Sequence, residues 1–240
     1  MTPLLRVEAL DVALGGVPVI EGASLTVERG ELIALLGRNG AGKTTVLRAI
    51  AGAQRVAGGS VLLDGVEIAG RPAHRVAAAG CVLVLEGHRV FQHQSVETNL
   101  RLGAYHASSG EVERRLDEQL GRFTVLAARR RVLAGQLSGG EQQLLAVAQG
   151  LMAAPRLLLL DEPSIGLDAG VVGWLFATLD ELRGQGVGLL VAEQSVDQVL
   201  SVADRAYVLQ SGRMVAHRAA IELRGDSILR DAYLGSASAS

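Results

Sequence analysis

The 240-residue chain has one cysteine, Cys81, and one lysine, Lys43. A lone cysteine cannot close an internal disulfide. Within the apolar run Cys81-Val82-Leu83-Val84-Leu85 it reads as a small buried side chain suited to a reducing compartment. The five histidines lack metal-site spacing with cysteines or acids, which leaves no zinc centre to assign. A basic excess is also lacking: the formal net charge of −2 creates no global field for nucleic acid. The densest positive run, Arg129-Arg130-Arg131, reads as a solvated helix end. No apolar stretch is long enough to cross a bilayer, and the N-terminal Met1–Asp11 segment acquires acids too early for a signal peptide. Any membrane service is expected from outside the lipid.

What is present is a chain 49% hydrophobic and 20% charged, able to bury a real core and too apolar for disorder. The first third carries short alternating or β-branched runs, and Asp64-Gly65 between two of them is a hairpin signal. The runs ending at Leu36, Asp161 and Glu193 differ, being apolar almost throughout, as parallel strands buried on both faces require. Helical periodicity appears between them, as in Leu144, Leu145, Ala148, Leu151 and Met152. The stretch from about Val96 to Gly135 is charged, helical in pattern and free of buried strands. Two further strands meet at Ser211-Gly212. The expected fold class is α/β: a parallel core, an N-terminal antiparallel β subdomain and an inserted helical subdomain. One domain is expected over residues 1–235, with helices inserted at about 96–150 and a flexible tail at 236–240.

Gly37-Arg38-Asn39-Gly40-Ala41-Gly42-Lys43-Thr44 matches the phosphate-binding pattern G-x-x-x-x-G-K-[ST], between a buried strand and a helix. Its glycines let backbone N–H groups wrap phosphate oxygens, and the helix start adds a favourable dipole. Gly37, Asn39, Gly40, Ala41, Gly42, Lys43, Thr44 and Thr45 form the expected cradle. Lys43 would reach the β- and γ-phosphates, where a compact ammonium fits better than a planar guanidinium, and Thr44 would ligate Mg²⁺. The strand ending in Asp161 brings a carboxylate opposite this loop to hold Mg²⁺ through water. Glu162 follows as the general base that polarises an attacking water. Leu137-Ser138-Gly139-Gly140-Glu141 is a second anion-competent helix start, yet one nucleotide needs only one cradle.

In this order the three motifs closely resemble the ATP-binding subunit of ABC transporters, over nearly the whole chain. The resemblance implies an ATPase in which two subunits sandwich two ATP molecules head to tail. Lys43, Thr44, Asp161 and Glu162 would then act on the near nucleotide, while Ser138, Gly139 and Gly140 cap the partner's. Ser164-Ile165-Gly166-Leu167-Asp168 looks like the loop that crosses the interface. Transmembrane permease subunits and, indirectly, a substrate-binding protein are the implied partners, with the chain peripheral on the cytoplasmic face of the membrane.

Finer features are similar to the LivF-type ATPase of branched-chain amino acid importers: Glu86-Gly87-His88-Arg89-Val90-Phe91, Val96-Glu97-Thr98-Asn99-Leu100, Leu102-Gly103-Ala104-Tyr105 and Ala232-Tyr233-Leu234-Gly235. Most of the family has glutamine where Glu86 stands; a carboxylate there is a stronger hard-cation ligand, which adds Glu86 to Thr44 and Asp161 as the expected metal set, an exposed strand-end acid being the alternative for this position. Gln194 stands where most relatives have a histidine that contacts the γ-phosphate. It can donate a hydrogen bond but cannot carry charge or relay a proton, so slower or partner-dependent hydrolysis is expected, with Gln194 kept beside Glu162 and Lys43 in the catalytic set. A glutamine capping the following helix is the alternative for this position. Leu14 stands about where the family stacks an aromatic residue on adenine. Gln149 replaces a common arginine, and Gln92 a usual proline. The readings left open are a homodimer or a pair with a LivG-like sister, an ATP-holding subunit of low turnover, and urea or other amides as cargo. Non-transport ABC proteins of translation or DNA repair fit poorly, because the chain has neither a second ATPase domain nor a long coiled coil.

Overall fold

The computed structural model describes residues 2–87, 89–224 and Leu229. In chain order the strands are β1 (Leu5–Leu14), β2 (Val17–Val27), β3 (Leu32–Leu36), β4 (Gly58–Leu63), β5 (Val66–Glu67), β6 (Cys81–Val84), β7 (Leu157–Asp161), β8 (Gly188–Glu193), β9 (Arg205–Gln210) and β10 (Arg213–Ala219). The helices are α1 (Lys43–Ile50), α2 (Ala73–Ala78), α3 (Val96–Gly103), α4 (Ser109–Arg122), α5 (Thr124–Ala128), α6 (Gly139–Leu151), α7 (Ala169–Gly184), α8 (Val196–Leu200) and α9 (Ala220–Leu223). They build two sheets. One is antiparallel, in the order β2-β1-β4-β5; the other runs β10-β9-β3-β8-β7-β6. Within the second sheet every pairing is parallel except β9 with β10.

The continuous apolar runs have a direct physical cause. Side chains of a strand alternate between faces, and both faces of the central sheet are covered. Leu32, Ala34 and Leu36 of β3 join the core under the helical side, whereas Ile33 and Leu35 join the core shared with α1 and the antiparallel sheet. Strand β7 divides the same way, with Leu158 and Leu160 on one face and Leu157 and Leu159 on the other. Each such fully buried leucine contributes roughly 1.5–3 kcal/mol relative to exposure. Cys81 belongs to the second core, and burial pushes its thiol up to about 12. It is therefore an inert packing residue.

The expected hairpin closes through Asp64 and Gly65, whose φ angles of 52° and 75° supply the positive values that a two-residue turn requires. The expected helical stretch contains α3 to α6, with one isolated bridge, Ser95 to Leu133, tying its ends. Asn99 is fully buried there; its side chain accepts from the Phe91 N–H and donates to the carbonyls of Phe91 and Ser95. The chain entering α3 is thereby fixed to the helix. Two elements carried no clear sequence signal: the four-residue strand β6 at the sheet edge and the single-turn helix α2. The arginine run is the exposed end of α5, as expected, and it also forms ion pairs. Arg129 pairs with Glu141 at 2.8 Å and Arg130 with Glu97 at 2.7 Å, so two of its three members brace neighbouring helices. The Ala232–Gly235 motif, His88 and the expected tail lie outside the described residues.

Candidate functional site

Strands β3, β7 and β8 lie side by side, so their C-terminal ends and the segments that follow converge. This is where an open parallel sheet offers a crevice. From β3 the chain enters the loop 37–42, which has no room for side chains at two points. A Cβ on Gly37 would come within 2.4 Å of the Leu209 carbonyl oxygen. One on Gly42 would meet Ile20 at 2.5 Å, and the Gly42 φ of 109° is itself closed to other residues. The loop is held by Ala41, whose N–H donates to the Arg38 carbonyl and whose carbonyl accepts from Gly212 N–H, both at 3.0 Å. Asn39 and Gly40 stay exposed, while Ala41 and Lys43 are buried.

Helix α1 starts without a side-chain cap and without an acid in its first turn. The acids at its positive end come instead from the end of β7, as Asp161 and Glu162. Lys43, only 4% exposed, donates from Nζ to the Gly37 carbonyl at 2.8 Å and lies 3.1 Å from Glu162 Oε1. Thr44 donates from Oγ1 to Asp161 Oδ1 at 3.1 Å. Burial raises the Asp161 carboxyl above its ordinary range, the Thr44 hydrogen bond opposes that rise, and the charges of Glu162 and Glu86 add to it. Glu86 itself is exposed, in the turn after β6. Glu162 adopts φ 46°, a left-handed conformation costly for a non-glycine residue, and its N–H donates to the Ala192 carbonyl at 2.8 Å. The strained backbone turns the Glu162 side chain back toward Lys43.

The second helix start lies elsewhere and is built differently. Ser138 caps α6: its Oγ accepts from Glu141 N–H at 3.3 Å, and Glu141 Oε2 accepts from Ser138 N–H at 2.8 Å. The Ser138 hydroxyl keeps its own hydrogen to donate. Ser138 and Gly139 are exposed. Asp168 caps α7 by accepting from the N–H groups of Gly170 and Val171, each at 3.0 Å, which leaves Ile165 and Gly166 exposed ahead of it. Ser138, Gly140, Gly166 and Asp168 share one cavity of about 440 Å³ floored by Leu144 and Trp174. The α6 start and the 164–168 loop are thus neighbours on one surface.

Gln194 follows β8 and is exposed. Helix α8 is capped by Ser195, not Gln194, and no side-chain cap bond forms. Leu14 stands 43% exposed at the β1–β2 hairpin. One residue that motif reading missed is Glu193: buried, with its carboxyl raised above the ordinary range by burial and opposed by bonds from Ser164, Ser195 and Gln194. At the end of a strand it reads as a surface acid; only an inward-facing carboxylate with named donors distinguishes it.

Residues 20–165 match the ABC transporter family. The high-affinity branched-chain amino acid transport ATP-binding protein BraG of Pseudomonas aeruginosa is 38% identical over 97% of this chain and 100% of its own. The probable branched-chain amino acid transport ATP-binding protein LivF of Archaeoglobus fulgidus is 34% identical over 92% of this chain and 94% of its own. The lipopolysaccharide export system ATP-binding protein LptB of Escherichia coli is 33% identical, covering 96% and 97% respectively. Among solved structures, a nucleotide-free ATP-binding cassette from an ABC transporter superposes with TM-score 0.89 at 24% identity, covering 98% of this chain and all of the other.

Proposed function

Because the chain belongs to the ABC transporter family of ATP-binding subunits, we propose that it powers the import of branched-chain amino acids from the cytoplasmic face of a membrane. It is an ABC ATPase, a nucleotide-binding subunit of a family that works in pairs beside transmembrane permease subunits. The cargo reading rests on the relatives: BraG, BraF and LivF are all named for branched-chain amino acid transport, and BraG is more similar to this chain than LptB is. No helix among the described residues is long and apolar enough to cross a membrane, consistent with a peripheral subunit. The described part of the chain reads as one ATPase domain with the helices of 96–150 inserted.

The observation that carries the mechanism is the placement of the only lysine. Lys43 is buried between a carbonyl and a carboxylate, at the start of a helix that has no acid in its own first turn. That arrangement fits a polyphosphate, which supplies the negative charge the helix start and the lysine both favour. Thr44 and Asp161, hydrogen-bonded to each other, would hold Mg²⁺ with Glu86 of the turn after β6 as a further oxygen ligand, and the ion would neutralise phosphate charge. When ATP enters, Lys43 exchanges Glu162 for phosphate oxygens, and Glu162 loses its cation. A carboxylate freed of that partner is a better base. It takes a proton from water as the water oxygen bonds to the γ-phosphorus and the bond to the ADP oxygen breaks. Gln194 donates a neutral hydrogen bond to the departing phosphate. Ser138, Gly139 and Gly140 cap a nucleotide held by a second copy or by a sister ATPase subunit.

The test is MgATP turnover by the purified chain across protein concentrations, with Glu162→Gln alongside. A specific rate that rises with concentration and is lost in Glu162→Gln supports a self-pairing ATPase. Turnover that survives Glu162→Gln removes Glu162 from the mechanism. ATP binding without turnover at any concentration points to pairing with a sister subunit.

A further inference from the structure

Strand β8 is apolar from Gly188 to Ala192 and then ends in an acid, Glu193, which is only 2% exposed. Glu193 does not turn outward as a strand-end carboxylate ordinarily does. Oε1 accepts from the Ser164 N–H at 3.0 Å, and Oε2 accepts from the Gln194 N–H at 3.2 Å. Among the described residues no lysine, arginine or histidine pairs with it; the one lysine is engaged by Glu162. A buried carboxylate without a cation is costly, and an apolar side chain would fill a core position better. What an apolar side chain could not do is accept from Ser164.

The two segments that Glu193 joins are the ones that matter for turnover. Ser164, itself buried, lies two residues after Glu162 and opens the 164–168 loop, whose Ile165 and Gly166 are exposed; the Leu167 N–H turns back onto the Ser164 carbonyl at 3.2 Å. The Glu162 N–H is itself held by the carbonyl of Ala192, the residue before Glu193. The end of β8 therefore grips the 162–164 segment twice, once through its backbone and once through the Glu193 carboxylate, while carrying Gln194 on its next residue.

We propose that Glu193 is a positioning residue for ATP hydrolysis, bracketing the start of the 164–168 loop to the strand end that carries Gln194. The loop beside the Ser138 helix start and the site around Glu162 then move as one body, so that the arrangement of one surface is transmitted to the other. The inference rests on the ATPase reading above, and two readouts separate its fate from that reading.

The experiment compares the full chain with its Glu193→Ala, Glu193→Gln and Glu193→Asp variants, and with Glu162→Gln as a control. MgATP kcat and KM are measured together with amide hydrogen exchange across residues 162–168. Glu193→Ala is expected to lower kcat about tenfold or more with KM within about twofold. It is also expected to speed exchange at Ser164 and the loop behind it about tenfold. Glu193→Gln keeps one acceptor for Ser164 but sets a donor against the Gln194 N–H, and should restore part of both losses. If Glu193→Ala does not fold, Glu193→Gln and Glu193→Asp carry the comparison. Turnover and loop exchange both within about twofold of wild type in the variants would overturn the proposal, as would equal losses in kcat and ATP binding. If Glu162→Gln leaves turnover intact, the reading of the catalytic site fails, and the exchange data still decide whether Glu193 brackets the loop. If wild type alone does not turn over, exchange alone decides: unchanged protection in Glu193→Ala or Glu193→Gln sinks the bracket.

Discussion

Two helix starts in this chain carry glycine-rich entries, and they are completed in opposite ways. At α1 the cap is a glycine that offers no side chain, and the charge comes from Lys43, buried and already held by Gly37 and Glu162. At α6 the cap is Ser138, satisfied by its own capping box; the nearest charge is an acid, Glu141, itself neutralised by Arg129. The first start is a finished cradle with its counter-charge inside. The second has exposed donors, and its nearby cation, Arg129, is committed to Glu141. On the function proposed above, a polyphosphate binds the first start on its own account and engages the second only when another subunit brings it there. The difference between binding in one subunit and capping in the other is thus written into which residue precedes each helix.

The comparison breaks most severely at Lys43. Lys43→Ala should lower kcat/KM for MgATP about a thousandfold, and Lys43→Arg should not rescue it, since the narrow space between the Gly37 carbonyl and Glu162 admits a point charge rather than a guanidinium. Nucleotide binding by fluorescence, measured beside turnover, should fall with it. Ser138→Ala should act differently: about a tenfold fall in turnover with ATP affinity of the unpaired chain nearly unchanged, and about 1 kcal/mol lost from urea unfolding through the missing cap. Equal losses of affinity in both variants would erase the distinction between the two starts.

Gln194→His sharpens the first cradle alone. An imidazole can carry charge where glutamine cannot, so turnover should rise about threefold and its pH profile should change near the histidine range. The smallest effect concerns the brace behind the second start. Arg130 and Arg101 hold the Glu97 carboxyl at about 2, below its ordinary 4.5. A folded value below the unfolded one stabilises the protein above about pH 4.5, and the contribution disappears as pH falls through 2. Glu97→Gln should therefore cost about 0.5 kcal/mol at pH 7, after allowance for solvent screening, and nothing near pH 2. Urea titrations of both proteins at the two pH values check the sign.

The strand-loop-helix around Lys43 was legible because its signals are local: a run buried on both faces, glycines where a loop must close, and a lysine before the helix. The Asp161-Glu162 pair and the Ser138 cap were legible for the same reason. Glu193 was not, because nothing within a few residues of it says whether a carboxylate after Ala192 faces water or the Ser164 amide, which lies 29 positions earlier. The arginine run is the exposed helix end its sequence suggested, but its partners, Glu97 and Glu141, were not legible, being set by how α3 and α6 pack against the segment between them. The edge strand β6 is too short to show a period, and it became a strand because β7 offers it a parallel partner.

The sequence by itself determined the parts: the two anion-competent helix starts, the acids after the buried strand, and the alternation that lets one sheet carry a core on each face. Only the tertiary structure decided their partners. Lys43 meets Glu162 because β3 and β7 both flank β8 in the sheet order, and Glu193 becomes buried because β8 ends beneath the loop that β7 begins. Local propensity acts over one turn or one pleat, whereas a buried charge is defined by whatever the rest of the chain packs over it.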